Sequence, residues 1–145
     1  MRTALAATWT LLLGMALLML GAGLQGTLVG LRASLEGFPT LLAGIMLAAY
    51  YLGYMAGSVM TPGLVNSVGH VRVFAALTSL ASVLILLQGI FVAPWPWTLV
   101  RILSGFCFAG IYVVAESWLN GRVDNEHRGL LLSIYMLVCY GGLGL

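Results

Sequence analysis

Lysine is absent from this chain, and its charged residues are only six arginines and four aspartates or glutamates in 145 residues. So thin a charge complement does not coat a water-soluble surface, where about 25% of residues are charged. The formal net charge of +2, with no basic stripe to track a phosphate backbone, excludes nucleic acid as a partner. Cys107 and Cys139 both fall inside apolar runs and read as small packing residues rather than a structural disulfide. Prolines number only 4 against 19 glycines, and the glycines sit mainly within the apolar runs, so there is one membrane domain and no flexible linker. No motif for a cofactor or a metal is present.

What the chain has instead is hydrophobicity, 61% of its residues with a mean hydropathy of +1.06. The apolar runs extend from Ala4 to Leu31, Phe38 to Thr61, Phe74 to Ala93, Trp95 to Leu119 and Leu130 to Leu145. The first four reach the ~20 residues that cross a hydrocarbon core at ~1.5 Å rise per residue, and the fifth is shorter. The fold class is therefore an all-α integral membrane bundle, four complete transmembrane helices plus the start of a fifth, with the lipid bilayer as solvent. The first run continues through Leu28 and Leu31, too long for the apolar core of a cleaved signal peptide.

Arg2, Arg72, Arg122 and Arg128 flank the runs on one side and Arg32 stands alone on the other, so the positive-inside rule predicts a cytoplasmic N-terminus. On this topology Pro62-Gly63 breaks helix 2, Asn66 to Arg72 forms a cytoplasmic turn, and Pro94-Trp95-Pro96-Trp97 makes an external turn with its tryptophans at headgroup level. Asn120 to Gly129 holds the densest charge and reads as a second cytoplasmic loop. Ala49, Gly53 and Gly57 recur every four residues as a small-residue stripe for close helix packing, a device repeated by Gly26 and Gly30 in helix 1.

Helix 4 carries the candidate chemistry. Arg101 lies several residues inside its run and Glu116 near the far end, and charges at such depth usually face a bundle interior or a wet cavity. At 100° per residue, Arg101, Gly105, Phe108, Tyr112 and Glu116 share one face. Arg101 and Glu116 are fifteen positions apart, about 22 Å along the axis, so they need different partners. Glu116 is expected to meet Arg122 or Arg128, either as a plain interfacial ion pair or as a gating contact. Arg101 reads as a snorkelling anchor or as the ligand of an anionic substrate group, and Gln25 at matching depth in helix 1 joins Arg101 and Tyr112 as a substrate-cavity candidate.

Arg101 with Gly105 four residues on and Gly110 beyond resembles the Arg-x-x-x-Gly pattern in helix 4 of the major facilitator superfamily of secondary transporters. Ala115-Glu116-Ser117-Trp118-Leu119-Asn120, then Arg128-Gly129 and Ser133-Ile134-Tyr135-Met136, looks like its YcaD-like branch. Gly69 and Arg72 match the end of that superfamily's loop 2-3 signature; Asn66 stands where an acid is usual, Ser67 and His70 where bases are, and Pro62 replaces the first Gly, which puts the charge latch of that loop in doubt. The resemblance implies a bacterial-type inner-membrane protein that moves a small solute by alternating access. It also implies a fragment, the N-terminal portion of a twelve-helix fold whose remaining helices would be its partners. The competing class is a small non-transporting membrane protein that packs against a partner membrane protein. Both histidines lie in the expected loops, away from Ser104, so the chain is not read as an enzyme.

Overall fold

The computed structural model describes Arg2 to Gly144, with side chains at Ala6 and from Thr8 onward; the Arg2 side chain and Leu145, both cited above, lie outside the described residues. Among the described residues there are five helices, α1 (Arg2–Leu35), α2 (Thr40–Val68), α3 (His70–Ile90), α4 (Pro94–Arg122) and α5 (Asn125–Gly144), and no strand. Four contain segments long and apolar enough to cross a membrane, Thr8–Leu35, Thr40–Val68, His70–Ile90 and Pro94–Arg122. Their outward faces are apolar, as at Leu17, Leu24, Met55, Val59 and Leu86, which suits a solvent of acyl chains. The fold is the all-α membrane bundle expected from the apolar runs.

The chain divides into two compact units, residues 1–32 with 116–145 and residues 33–115. In the second unit α2 and α4 run parallel at backbone contact. A Cβ built on Gly57 would lie 2.5 Å from the Phe106 carbonyl oxygen, and one on Gly53 would overlap the Ile102 carbonyl. From the other side, a Cβ on Gly105 would overlap the Tyr50 carbonyl. In the first unit α1 meets α5 in the same way, with Gly142 against Met19 and Ala16 and Gly23 against the Leu143 backbone. Only glycine admits backbones this close, because any Cβ takes the space of the neighbouring chain.

Four local expectations are corrected. Pro62 does not end helix 2, which continues to Val68. Proline removes one N–H from the ladder, and lipid-embedded helices tolerate that where neighbouring groups re-satisfy the backbone. Pro94-Trp95-Pro96-Trp97 is the first turn of α4 rather than a turn before it, since a proline at a helix start forfeits only an N–H that has no partner there. Trp95 is exposed, but Trp97 is 2% exposed and sits inside the unit instead of at its surface. Most of Asn120 to Gly129 is helical, with only Val123 and Asp124 between α4 and α5 and the Asp124 carbonyl accepting from the amides of His127 and Arg128. Gly26 and Gly30 face open surroundings.

The α2–α3 connection is a single residue, Gly69, at φ 100°, a left-handed conformation that L side chains rarely adopt. A reversal this abrupt is what makes glycine necessary at that point.

Candidate functional site

α4 is the most enclosed of the four spans, with 61% of its apolar window buried against 28%, 22% and 28% for the others, so a charged group on it can be hidden from lipid. Arg101 enters this setting two turns from the α4 start and is 8% exposed. Its guanidinium lies over the Tyr50 ring, 4.5 Å from the centroid, because Gly105 lets the Tyr50 backbone come against α4 one turn further on. Such cation–π contact stabilises a desolvated guanidinium by up to ~2 kcal/mol, but it covers one face and satisfies no N–H. Arg101 Nε is buried without a hydrogen-bond partner. Within residues 33–115 the sole carboxylate is Glu36, in the α1–α2 turn, so neither α2 nor the 94–115 part of α4 offers an acid to Arg101.

An aromatic row continues from that point. Tyr50 and Tyr54, one turn apart on α2, have ring centroids 6.2 Å apart, and Tyr54 lies 6.5 Å from Tyr112 of α4. Tyr51 meets Tyr50 edge-on at 5.6 Å. Phe108, on the same α4 face, is buried, as is Ser104, whose Oγ has no hydrogen-bond partner. Tyr112 is half-buried. The arginine and the tyrosine rings thus stand together where α2 and α4 touch, with the Ser104 hydroxyl buried one turn from Arg101 on the flank of α4.

The other candidates lie elsewhere. Gln25 of α1 is 8% exposed and belongs to the first unit. Glu116 is half-buried and lies within electrostatic range of the Cys139 thiol on α5. Arg122 places its guanidinium 4.5 Å over the Trp118 ring, and Arg128 Nη2 donates to the Asn120 carbonyl across 3.4 Å. The first contact lies within α4, and the second ties α5 to the end of α4 across the corner. Asn66 and Arg72 are exposed on either side of Gly69. Neither Tyr50 nor Tyr54 is a site candidate in the sequence, and Ser104 enters there only as a nucleophile without a histidine. The four-residue spacing of the two tyrosines was a visible signal, whereas the burial of Ser104 depends on which helix packs against it.

Membrane-length helices, with an arginine kept inside them against a row of tyrosines, define a polytopic membrane protein. Residues 6–144 match the family described as "Sugar (and other) transporter", and the chain belongs to this family of the major facilitator superfamily. It is 33% identical over 132 residues to an uncharacterized MFS-type transporter of Enterobacter sp. (strain 638), covering 91% of this chain and 35% of the relative. It is 32% identical, over the same shares, to the uncharacterized MFS-type transporter YcaD of Salmonella arizonae and to that of Escherichia fergusonii. The chain spans about a third of the length of the curated relatives it matches. No solved structure matches it. Family and relatives alike are named as transporters, and the chain is an integral membrane protein.

Proposed function

We propose that this chain contributes the first helices of a longer secondary transporter of the bacterial cytoplasmic membrane, with its N-terminus in the cytoplasm, and that Arg101 binds an anionic group of the solute. The relatives' greater length supports a longer working protein, and a twelve-helix fold with its site between two halves is what the superfamily would supply. The observation that carries the substrate reading is the Arg101 guanidinium, 8% exposed, with one face on Tyr50 and Nε unpartnered. An arginine at the bilayer centre costs about 2.5 to 3.5 kcal/mol on insertion scales and one two turns from a helix end less, a cost that a snorkelling side chain would avoid by reaching water. This one is folded inward instead, and the cost is offset when an oxyanion takes the free edge.

Alternating access needs contacts that form in one state and break in another. Glu116, Arg122 and Arg128 at the α4–α5 corner are the charged set suited to that, with Glu116 fastening the two helix ends through one of the arginines during the cycle. The loop signature at Asn66, Gly69 and Arg72 lacks the acid that latches this loop in the superfamily, so the corner takes a larger share of gating here.

The test is solute uptake by the full-length transporter in proteoliposomes, screened over anions, neutral sugars and cations against empty liposomes. Uptake selective for anions is expected. Uptake confined to sugars or cations, or none at all, contradicts the reading.

A further inference from the structure

Ser104 departs from the habit of several other hydroxyls in the helices. Thr61, Thr78, Ser82 and Ser133 each donate to the carbonyl four residues back, and Ser58 and Ser67 to the carbonyl three back. These bonds keep a hydroxyl from being stranded in an apolar setting. Ser104 is 1% exposed, and its Oγ has no hydrogen-bond partner. A buried donor left unmade is costly, and a native protein that keeps one usually has a further group to meet it.

The second stranded donor is three residues away on the same helix, Arg101 Nε. Residues at i and i+3 are surface neighbours, their Cβ atoms about 5 to 6 Å apart, so one small ligand group can reach both. Tyr50 closes one face of the guanidinium and leaves its edge, where Nε and an Nη offer parallel N–H bonds with the spacing of a carboxylate. A third donor from Ser104 would complete such a seat. Beyond it lie the rings of Tyr50, Tyr54 and Tyr112 in sequence, 6.2 and 6.5 Å between centroids. These spacings fall in the range where rings interact edge to face or offset, so the row presents aromatic surface to a planar guest.

We propose that Arg101 Nε and Ser104 Oγ form an oxyanion seat and that its occupant is a carboxylate carried on an aromatic ring, the ring lying against Tyr54 at the near end of the tyrosine row. The proposal rests on the reading of Arg101 as an anion site and adds to it a serine that positions the group and a ring that selects the body. No covalent step is involved. The carboxylate meets two donors that the empty site leaves unmade, and its ring covers aromatic surface on the tyrosines. An aliphatic acid of equal charge would fill the seat alone, and a neutral aromatic amide would meet the row alone.

Thermal unfolding of the purified full-length transporter with 2-naphthoate, hexanoate or 2-naphthamide as probes tests this, because a ligand that binds the native state raises the midpoint in proportion to its affinity. Naphthoate should stabilise most and naphthamide least. Ser104→Ala should weaken naphthoate about ten-fold, the loss of one charge-assisted hydrogen bond, while the midpoint without ligand stays level or rises because a stranded hydroxyl has gone. A merely structural serine would lower that midpoint instead. Tyr54→Leu should bring naphthoate down to the affinity of hexanoate. If the two acids bind alike, and Arg101→Lys weakens both while Ser104→Ala changes neither, the aromatic seat is wrong, the hydroxyl serves a buried water, and the anion reading stands. Should neither acid stabilise the protein, the seat and the anion reading fall together.

Discussion

The indole Nε1 of Trp97 donates to the main-chain oxygen of Gln88 across 2.9 Å, fastening the start of α4 to the end of α3. Gln88 lies in the last turn of α3, where carbonyls have no intrahelical partner, and the Leu87 carbonyl beside it is taken by the Phe91 amide. A side chain from the next helix therefore acts as a cap. The Phe38 ring meets Trp97 edge-on at 5.5 Å, so the approach to α2 is drawn to the same point. Replacing Trp97 with Phe keeps most of the ring and loses the bond, and should destabilise the folded protein by about 1 to 2 kcal/mol in a denaturation series. Trp95→Phe, at a residue 80% exposed, should stay within about 0.5 kcal/mol. Equal effects at the two positions would show that the cap contributes nothing.

Glycine dependence should divide by contact rather than by sequence. Gly57→Ala drives a methyl into the Phe106 carbonyl and should destabilise by about 1 to 3 kcal/mol, with Gly53→Leu worse. Gly44→Ala, on the same helix with open space around it, should be neutral or slightly stabilising, and Val59→Leu, 78% exposed, should be tolerated. The yield of monodisperse protein in detergent reads all four. Similar losses at Gly44 and Gly57 would remove the close α2–α4 contact from the account.

Orientation is open to a direct test. With a cytoplasmic N-terminus, an impermeant maleimide on intact cells should label Ser34→Cys at the end of α1 and spare Asp124→Cys between α4 and α5. The native thiols of Cys107 and Cys139 are buried and should stay silent. Labelling at 124 but not at 34 would invert the topology.

The α4–α5 corner makes a charge-pair prediction. Glu116→Arg and Arg128→Glu should each impair transport, and the double exchange should restore part of it; if it does not, the same exchange with Arg122 should. Failure of both exchanges would leave Glu116 without a gating role, consistent with Arg122 staying on Trp118 and Arg128 on Asn120.

The spans were legible because lipid imposes length and apolarity on any helix that crosses it, and the runs through Leu28, Leu52 and Leu86 carry that signal residue by residue. Helix ends were not. Polar residues from Asn120 to Arg128 look like a loop to any rule based on hydropathy, yet helical backbone bonds form as readily beyond the apolar layer as within it. Pro62 and Pro94 show the same limit in two directions, one continuing a helix and one starting it. Arg101 stood out in the sequence because a charge in an apolar run is rare. Tyr50 and Ser104 did not, since nothing in their own neighbourhoods reveals that α2 and α4 touch at Gly53, Gly57 and Gly105. Contacts made by backbone against backbone leave only glycines as a trace.

The central claim is that Arg101 grips the solute, and transport by Arg101→Lys and Arg101→Ala measures it most directly, with each variant normalised to the amount in the membrane. Lysine keeps the charge and loses the planar fork, so uptake should fall about ten- to a hundred-fold, chiefly through a raised KM, and alanine should abolish it while membrane levels stay normal. Unchanged kinetics in Arg101→Ala would contradict the account and leave the guanidinium as a structural partner of Tyr50.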